Sequence, residues 1–170
     1  MPTGVSLEAD CSKCAALCCV ALAFDKSNLF AFDKANGQIC PHLGENARCT
    51  IHGDLHSKGF AGCVQYSCHG AGQRVVQEVF EGKSWQDNPA LLQPMLTAFA
   101  AMGRIHELIL MLETARAWDL PSTIGQTLRQ HLDVLNPAGG WNVQTLKAFD
   151  GGSDAARIRT FLKTLAPFAR

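Results

Sequence analysis

Every cysteine in this chain, eight in all, lies between Cys11 and Cys68, and the rest of its 170 residues contain none. Four of the eight crowd into one short run, Cys11-Ser-Lys-Cys14-Ala-Ala-Leu-Cys18-Cys19. Thiols this close together have two common uses: as thiolate ligands for a metal or cluster, or as a disulfide framework. The N-terminal part of the chain is therefore built around sulfur chemistry, whatever surrounds it.

The compartment chooses between the two uses. A secretory leader needs a basic start and an apolar core of about 7–15 residues, and Met1-Pro-Thr-Gly-Val-Ser-Leu-Glu-Ala-Asp10 has neither. No stretch approaches the roughly 18 uninterrupted apolar residues of a membrane span. A cytoplasmic location is expected, where thiols stay reduced and clustered cysteines bind metal. Lys plus Arg and Asp plus Glu are both 15, so the net charge is zero, and no basic run exists. That balance argues against a nucleic-acid surface, whose affinity comes from neutralising phosphates. Neither a nucleic acid nor a membrane is an expected partner.

The pattern divides the chain in two. Residues 1–72 read as a cysteine-rich, loop-heavy metal-binding segment, with turn signals at Asn36-Gly37, Gly44-Glu-Asn46, His52-Gly53 and Gly70-Ala-Gly72. Within it, Ala15 to Phe24 has the composition of a short buried helix, and Phe30 to Phe32 that of a short strand. Residues 73–170 read as an all-α helical bundle packed on that head as one compact unit. A first helix carries Val75, Val76, Val79 and Phe80 on one face and closes at Gly82. Asn88-Pro89 supplies an N-cap and first helical residue for a long helix with Leu92, Met95, Leu96, Phe99, Met102, Ile105, Leu108, Ile109 and Leu112 at intervals of three and four. Pro94 must kink that helix or mark its start. A further helix from near Pro121 presents Ile124, Leu128, Leu132 and Leu135. Shorter ones follow from the caps Asn142 and Ser153. The fold class is mainly α.

If the first run is helical, Cys11, Cys14 and Cys18 fall within about 60° of one another on one face, with Cys19 about 80° from Cys11. If it is a loop, Cys11-x-x-Cys14 makes the tight knuckle that serves zinc and iron alike. Cys40-Pro-His42, Cys49-Thr-Ile-His52 and Cys63 with Cys68-His69 are spaced to close sites begun by that run. Eight thiols equal two complete four-thiolate sites, or one such site with supporting thiols. His42, His52 and His69 are secondary ligand candidates because each is within three residues of a cysteine. His106 and His131 have a structural default on the helical tail.

These residues resemble the YkgJ-type cysteine-cluster family, described as chelating zinc or iron. The likeness is carried by Cys11 to Cys19, Cys40-Pro-His-Leu43, Cys49-Thr-Ile-His52, Cys63 and Cys68. It also extends to the cysteine-rich head of some bacterial pentapeptide-repeat proteins. The resemblance covers about residues 8–80 and implies all eight cysteines as metal ligands. The family shares its motif with flagellin lysine methylases, for which an iron–sulfur cluster is reported. Two departures stand out: one extra residue between Cys14 and Cys18, and His52 where the family has tyrosine.

A compact triple plus a remote cysteine followed by proline favours an iron–sulfur cluster, with Cys40-Pro41 as the remote partner. The single short C-x-x-C makes Zn²⁺ the next choice. No nucleophile motif, phosphate loop or dinucleotide fingerprint is present, so an enzyme is the less favoured reading. The expected function is metal binding in a structural, redox or sensory role. The alternatives are an iron–sulfur enzyme related to the lysine methylases and a protein-interaction module with a structural zinc site.

Overall fold

The computed structural model describes residues 4–169, and among these the regular structure is helical. Short helices α1 (Leu17–Ala21), α2 (Ala61–Gln65) and α3 (Ala71–Arg74) punctuate the head. The tail is built from α4 (Leu92–Arg116), α5 (Ser122–Leu135), α6 (Val143–Asp150) and α7 (Asp154–Thr164).

Helix α4 organises the rest. The Asn88 side chain accepts from the Ala90 N–H at 3.2 Å, and Pro89 opens a 3₁₀ turn that leads into the helix. Pro94 thus sits in the first turn of α4, where its missing N–H costs nothing and no kink is needed. The expected stripe is buried at Met95, Phe99, Met102, Ile105, Leu108, Ile109 and Leu112 and half-buried at Leu92 and Leu96, and Ala98, Ala101 and Ala115 are buried as well. A helix apolar on so much of its circumference must be covered from several sides. α1, α3, α5, α6 and α7 all pack against it. By length and composition it could cross a membrane, yet over half of its most apolar window is buried inside the protein, as in a core helix.

The head contributes to the same core. Ala15, Leu17 and Val20 join the buried cluster formed by α3 to α7. Trp85 fastens the junction, its indole N–H donating to the Ala15 carbonyl at 2.7 Å within the buried region. The outer part of the head has its own aromatic packing. Phe24 and Phe30 stack with centroids 4.2 Å apart, and Phe32 meets Phe60 edge-on at 5.1 Å. Gly62 makes that packing possible, because a Cβ there would lie 2.2 Å from the Phe30 ring.

Several local expectations are corrected. Phe30 to Phe32 is bent chain rather than strand; the pairing nearby is a single bridge between Phe24 and Lys34. The helix expected over Ala15 to Phe24 contracts to Leu17–Ala21. The helix carrying Val75 widens into a π turn over Val75–Val79, which sends Val75, Val76 and Val79 all inward together with Arg74. Asn142 forms a reciprocal capping box with Thr145, whereas Ser153 makes no side-chain cap for α7. His131 has the structural role expected of it, its ring 4.7 Å from Phe161.

His106 is a core residue, 1% exposed on α4. Its Nδ1–H donates to the His69 carbonyl, and burial holds its pKa down at about 4.

Two outcomes follow from this packing. Trp85→Phe keeps the ring but orphans the buried Ala15 carbonyl, so it should lower the unfolding free energy by about 1–3 kcal/mol in urea melts. His106 is neutral when folded, and its pKa is depressed relative to about 6.5 in the unfolded chain. Its contribution is complete above that value and is lost as pH falls through about 4, a loss on the order of 3 kcal/mol. Urea midpoints measured from pH 7 to pH 4 should fall, and His106→Asn should flatten that slope.

Candidate metal centre

The first cysteine run is neither one helix nor one loop. Asp10 caps a 3₁₀ turn over Cys11–Lys13 by accepting from the Ser12 N–H at 2.9 Å. The chain then extends through Cys14 and turns at Ala16, which has φ of 52°. That left-handed residue lies in the stretch carrying the additional residue between Cys14 and Cys18. It lets α1 start at Leu17 with Cys18 and Cys19 in its first turn. The strain of a left-handed alanine is about 1 kcal/mol.

This folding sorts the thiols into two groups. Cys11, Cys14, Cys18 and Cys68 line one cleft, a cavity of about 20 Å³ closed on one side by Phe99 of α4. Gly72 of α3 provides the room for it, since a Cβ there would lie 2.6 Å from the Cys14 sulfur. The fourth thiol lining this cleft is Cys68, brought in by the chain leading to α3, and Cys40, expected as the remote partner of the triple, is not part of its lining. The Cys40 N–H donates to the Cys19 carbonyl at 3.1 Å. Cys40 pushes up the thiols of Cys49 and Cys63, Cys49 pushes up that of Cys63, and Cys19, Cys40 and Cys63 all act on Lys34. Cys18 lies between the groups and is felt by both.

Among the described residues, no three or more Cys, His, Asp or Glu side chains are drawn together closely enough to hold a metal ion as the side chains stand. What the fold supplies is proximity and the right donor type. All eight cysteines are free thiols. Burial, followed by mutual repulsion, pushes the Cys11 thiol up; burial raises Cys14 to about 12. Cys18 is pushed up by its hydrogen bond with the Cys19 side chain and then by burial. Cys49 and Cys63 rise for the same reasons as Cys11. Opposing this, the Leu17 N–H donates to the Cys14 sulfur and the Ile51 N–H to the Cys49 sulfur, contacts that favour the thiolate.

The histidines stand apart. The His42 ring packs edge-on against Phe60 at 5.3 Å, in the aromatic cluster. His52 is exposed in a 3₁₀ turn, and His69 adopts φ of 48° beside Cys68. Two residues central to the site escaped the sequence reading. Gly72 registered only as a turn signal. Lys34, 3% exposed, sends its ammonium to the carbonyls of Val20, Leu22 and Ala35 at 2.9, 2.5 and 3.3 Å. No pattern in the sequence marks a lysine whose partners are backbone.

The chain is similar to a Bacillus subtilis protein described as uncharacterized protein YybG, with 46% identity over 129 residues, or 76% of this chain. Those residues amount to 46% of the relative, so the chain spans about half the length of the curated protein it matches. No protein-family model and no solved structure matches the chain.

The Gly72 cradle makes a direct prediction. Gly72→Ala should push the Cys14 side chain out of the cleft and cost about 1–3 kcal/mol through overpacking. Iodoacetamide labelling followed by peptide mass spectrometry should show Cys14 alkylated faster than in the unaltered protein.

Proposed function

We propose that this chain is a metal-binding protein whose head uses two sets of four thiolates, Cys11, Cys14, Cys18 and Cys68 in one, Cys19, Cys40, Cys49 and Cys63 in the other. The observation that carries this reading is the sorting of eight free cysteines, from separate segments of a loop-rich head, into two neighbourhoods. Buried thiols that raise one another's pKa lose that repulsion when a divalent cation takes their protons' place, which couples metal binding to proton release and to folding.

The donor set fits Zn²⁺ and iron–sulfur clusters equally, since both take four cysteines. Size separates them. The cleft between the first four sulfurs is about 20 Å³, close to the ~10–15 Å³ that a single water needs. That favours one ion over a multi-iron cluster. Closed four-thiolate sites with no open position are structural zinc sites, and the absence of a nucleophile or nucleotide motif agrees with a structural role. The metal would pin the head against α4. The resemblance to the YkgJ-type family points to the same chemistry.

Full-length protein purified anaerobically should be colourless and carry two equivalents of zinc. Cys14→Ser and Cys40→Ser should each lose one equivalent and leave the other. Iron with acid-labile sulfide in a brown protein would transfer the assignment to a cluster. Fully reduced protein that takes up neither metal, or Cys14→Ser protein with unchanged content, would overturn the site.

A further inference from the structure

A second cleft, about 270 Å³ in volume, opens beside α3 on the flank of α4, just under the ~300–1,000 Å³ of common small-molecule pockets. Arg74, Glu78, His106 and Asn136 line it, with Ser6 and Gln77 at its rim. It contains no cysteine and is not part of the thiol sites.

Among the described residues, two buried side-chain atoms have no hydrogen-bond partner, the Arg74 Nη1 and the His106 Nε2. Both residues line this cleft, and they are 9% and 1% exposed. A buried polar atom left unpaired costs about 1–3 kcal/mol, so two beside one cavity call for an explanation.

Their chemistry is complementary. Arg74 already donates from Nε to Glu78 and from Nη2 to Asn136, each at 2.7 Å. Its Nη1, with two N–H donors, is the guanidinium nitrogen without a partner. The His106 Nδ1–H is committed to the His69 carbonyl, which leaves Nε2 with a bare lone pair that can only accept. Beside the cleft thus lie the unused N–H donors of Arg74 Nη1 and the unused acceptor of His106 Nε2, both shielded as the side chains stand, so a ligand reaches them only when the side chains lining the cleft move apart. Its charge is already balanced, because Glu78 pairs with Arg74. A bound anion would bring a second negative charge alongside the Glu78 carboxylate and would give the His106 lone pair nothing to accept.

We propose that this cleft binds a small neutral molecule through an amide-type edge, its carbonyl oxygen accepting from Arg74 Nη1 and its N–H donating to His106 Nε2. Carboxamides, ureas and the amide edge of a pyrimidine base share that chemistry. An Asn or Gln side chain from a peptide would also offer it.

The test uses the full-length protein and ¹⁵N NMR of the His106 imidazole. Acetamide, uracil and a Gln-containing tripeptide are titrated against acetate and inorganic phosphate. A saturable shift of the Nε2 resonance is expected with acetamide or uracil, and one seen only with the tripeptide assigns the edge to a peptide side chain. Affinity should fall roughly tenfold in Arg74→Lys, the equivalent of one hydrogen bond. Arg74 is buried and paired, so a second variant acts from the surface. Ser6→Phe, at an exposed position on the rim, should block the shift while leaving the thermal midpoint unchanged. No saturable shift with any amide probe would mean that the orphan atoms meet water only, and the proposal fails. It fails equally if acetate or phosphate alone moves Nε2, or if Ser6→Phe leaves amide binding intact.

Discussion

Helix α4 is apolar around so much of its surface that no single neighbour can cover it, and the placement of α1, α3, α5, α6 and α7 follows from that need. Met95, Met102, Ile105, Leu108, Ile109 and Leu112 are fully buried, each worth roughly 1.5–3 kcal/mol of transfer free energy. α5, α6 and α7 cover part of the helix, and the head supplies α1 and α3 for the remainder. Because Leu17 and Val20 are inserted into that core, Cys18 and Cys19 beside them are carried to its edge. Phe99 then becomes a wall of the first thiol cleft. Cys14, Cys18 and Cys68 lie against the bundle because the residues beside them are needed to cover it.

A loop-rich head meets a second constraint, since its backbone groups lack ladders and helices in which to pair. Side chains take over that task. Lys34 donates to three carbonyls, Asn36 to that of Ala21 and Trp85 to that of Ala15. Gln73 and Gln77, one helical turn apart, donate to the carbonyls of Glu8 and Lys13, holding the segment that carries Cys11 alongside α3. These contacts position thiols without touching them.

What the sequence made legible was whatever depends on local chemistry. The Asn88-Pro89 start of α4, the Asn142 capping box and the apolar intervals of α4 and α5 all follow from residues within a turn of one another. The confinement of cysteine to the head located the candidate site for the same reason. What stayed hidden depends on partners distant in sequence. The π turn at Val75–Val79 widens where three valines and Arg74 must all face inward. Cys68 joins Cys11 only because α3 lies against the first turn. Gly72 matters through the Cys14 sulfur alone. His106 illustrates the boundary: its burial was readable from its place beside the stripe, but its single partner, the His69 carbonyl, and its unpaired Nε2 were not.

Lys34 shows how the two thiol groups differ electrostatically. Burial lowers its pKa, and the neighbouring Cys40, Cys19, Cys18 and Cys63 act in the opposite direction when ionised. A buried ammonium is costly unless hydrogen bonds and a countercharge compensate it; three carbonyls provide the former, and thiolates would provide the latter. On the zinc reading, four thiolates around one divalent ion leave a net charge of about −2, an excess that Lys34 partly offsets in the second group. The first group meets that buried cation through Cys18 alone. The cation acting on Cys11 is Arg48, the weakest of the influences named for that thiol. The first site therefore relies more on backbone N–H groups, such as that of Leu17 at the Cys14 sulfur, and on exclusion of water by Phe99. Two groups of thiols on one head thus have unlike surroundings: one is faced by a charge from within the head, the other sheltered by the bundle.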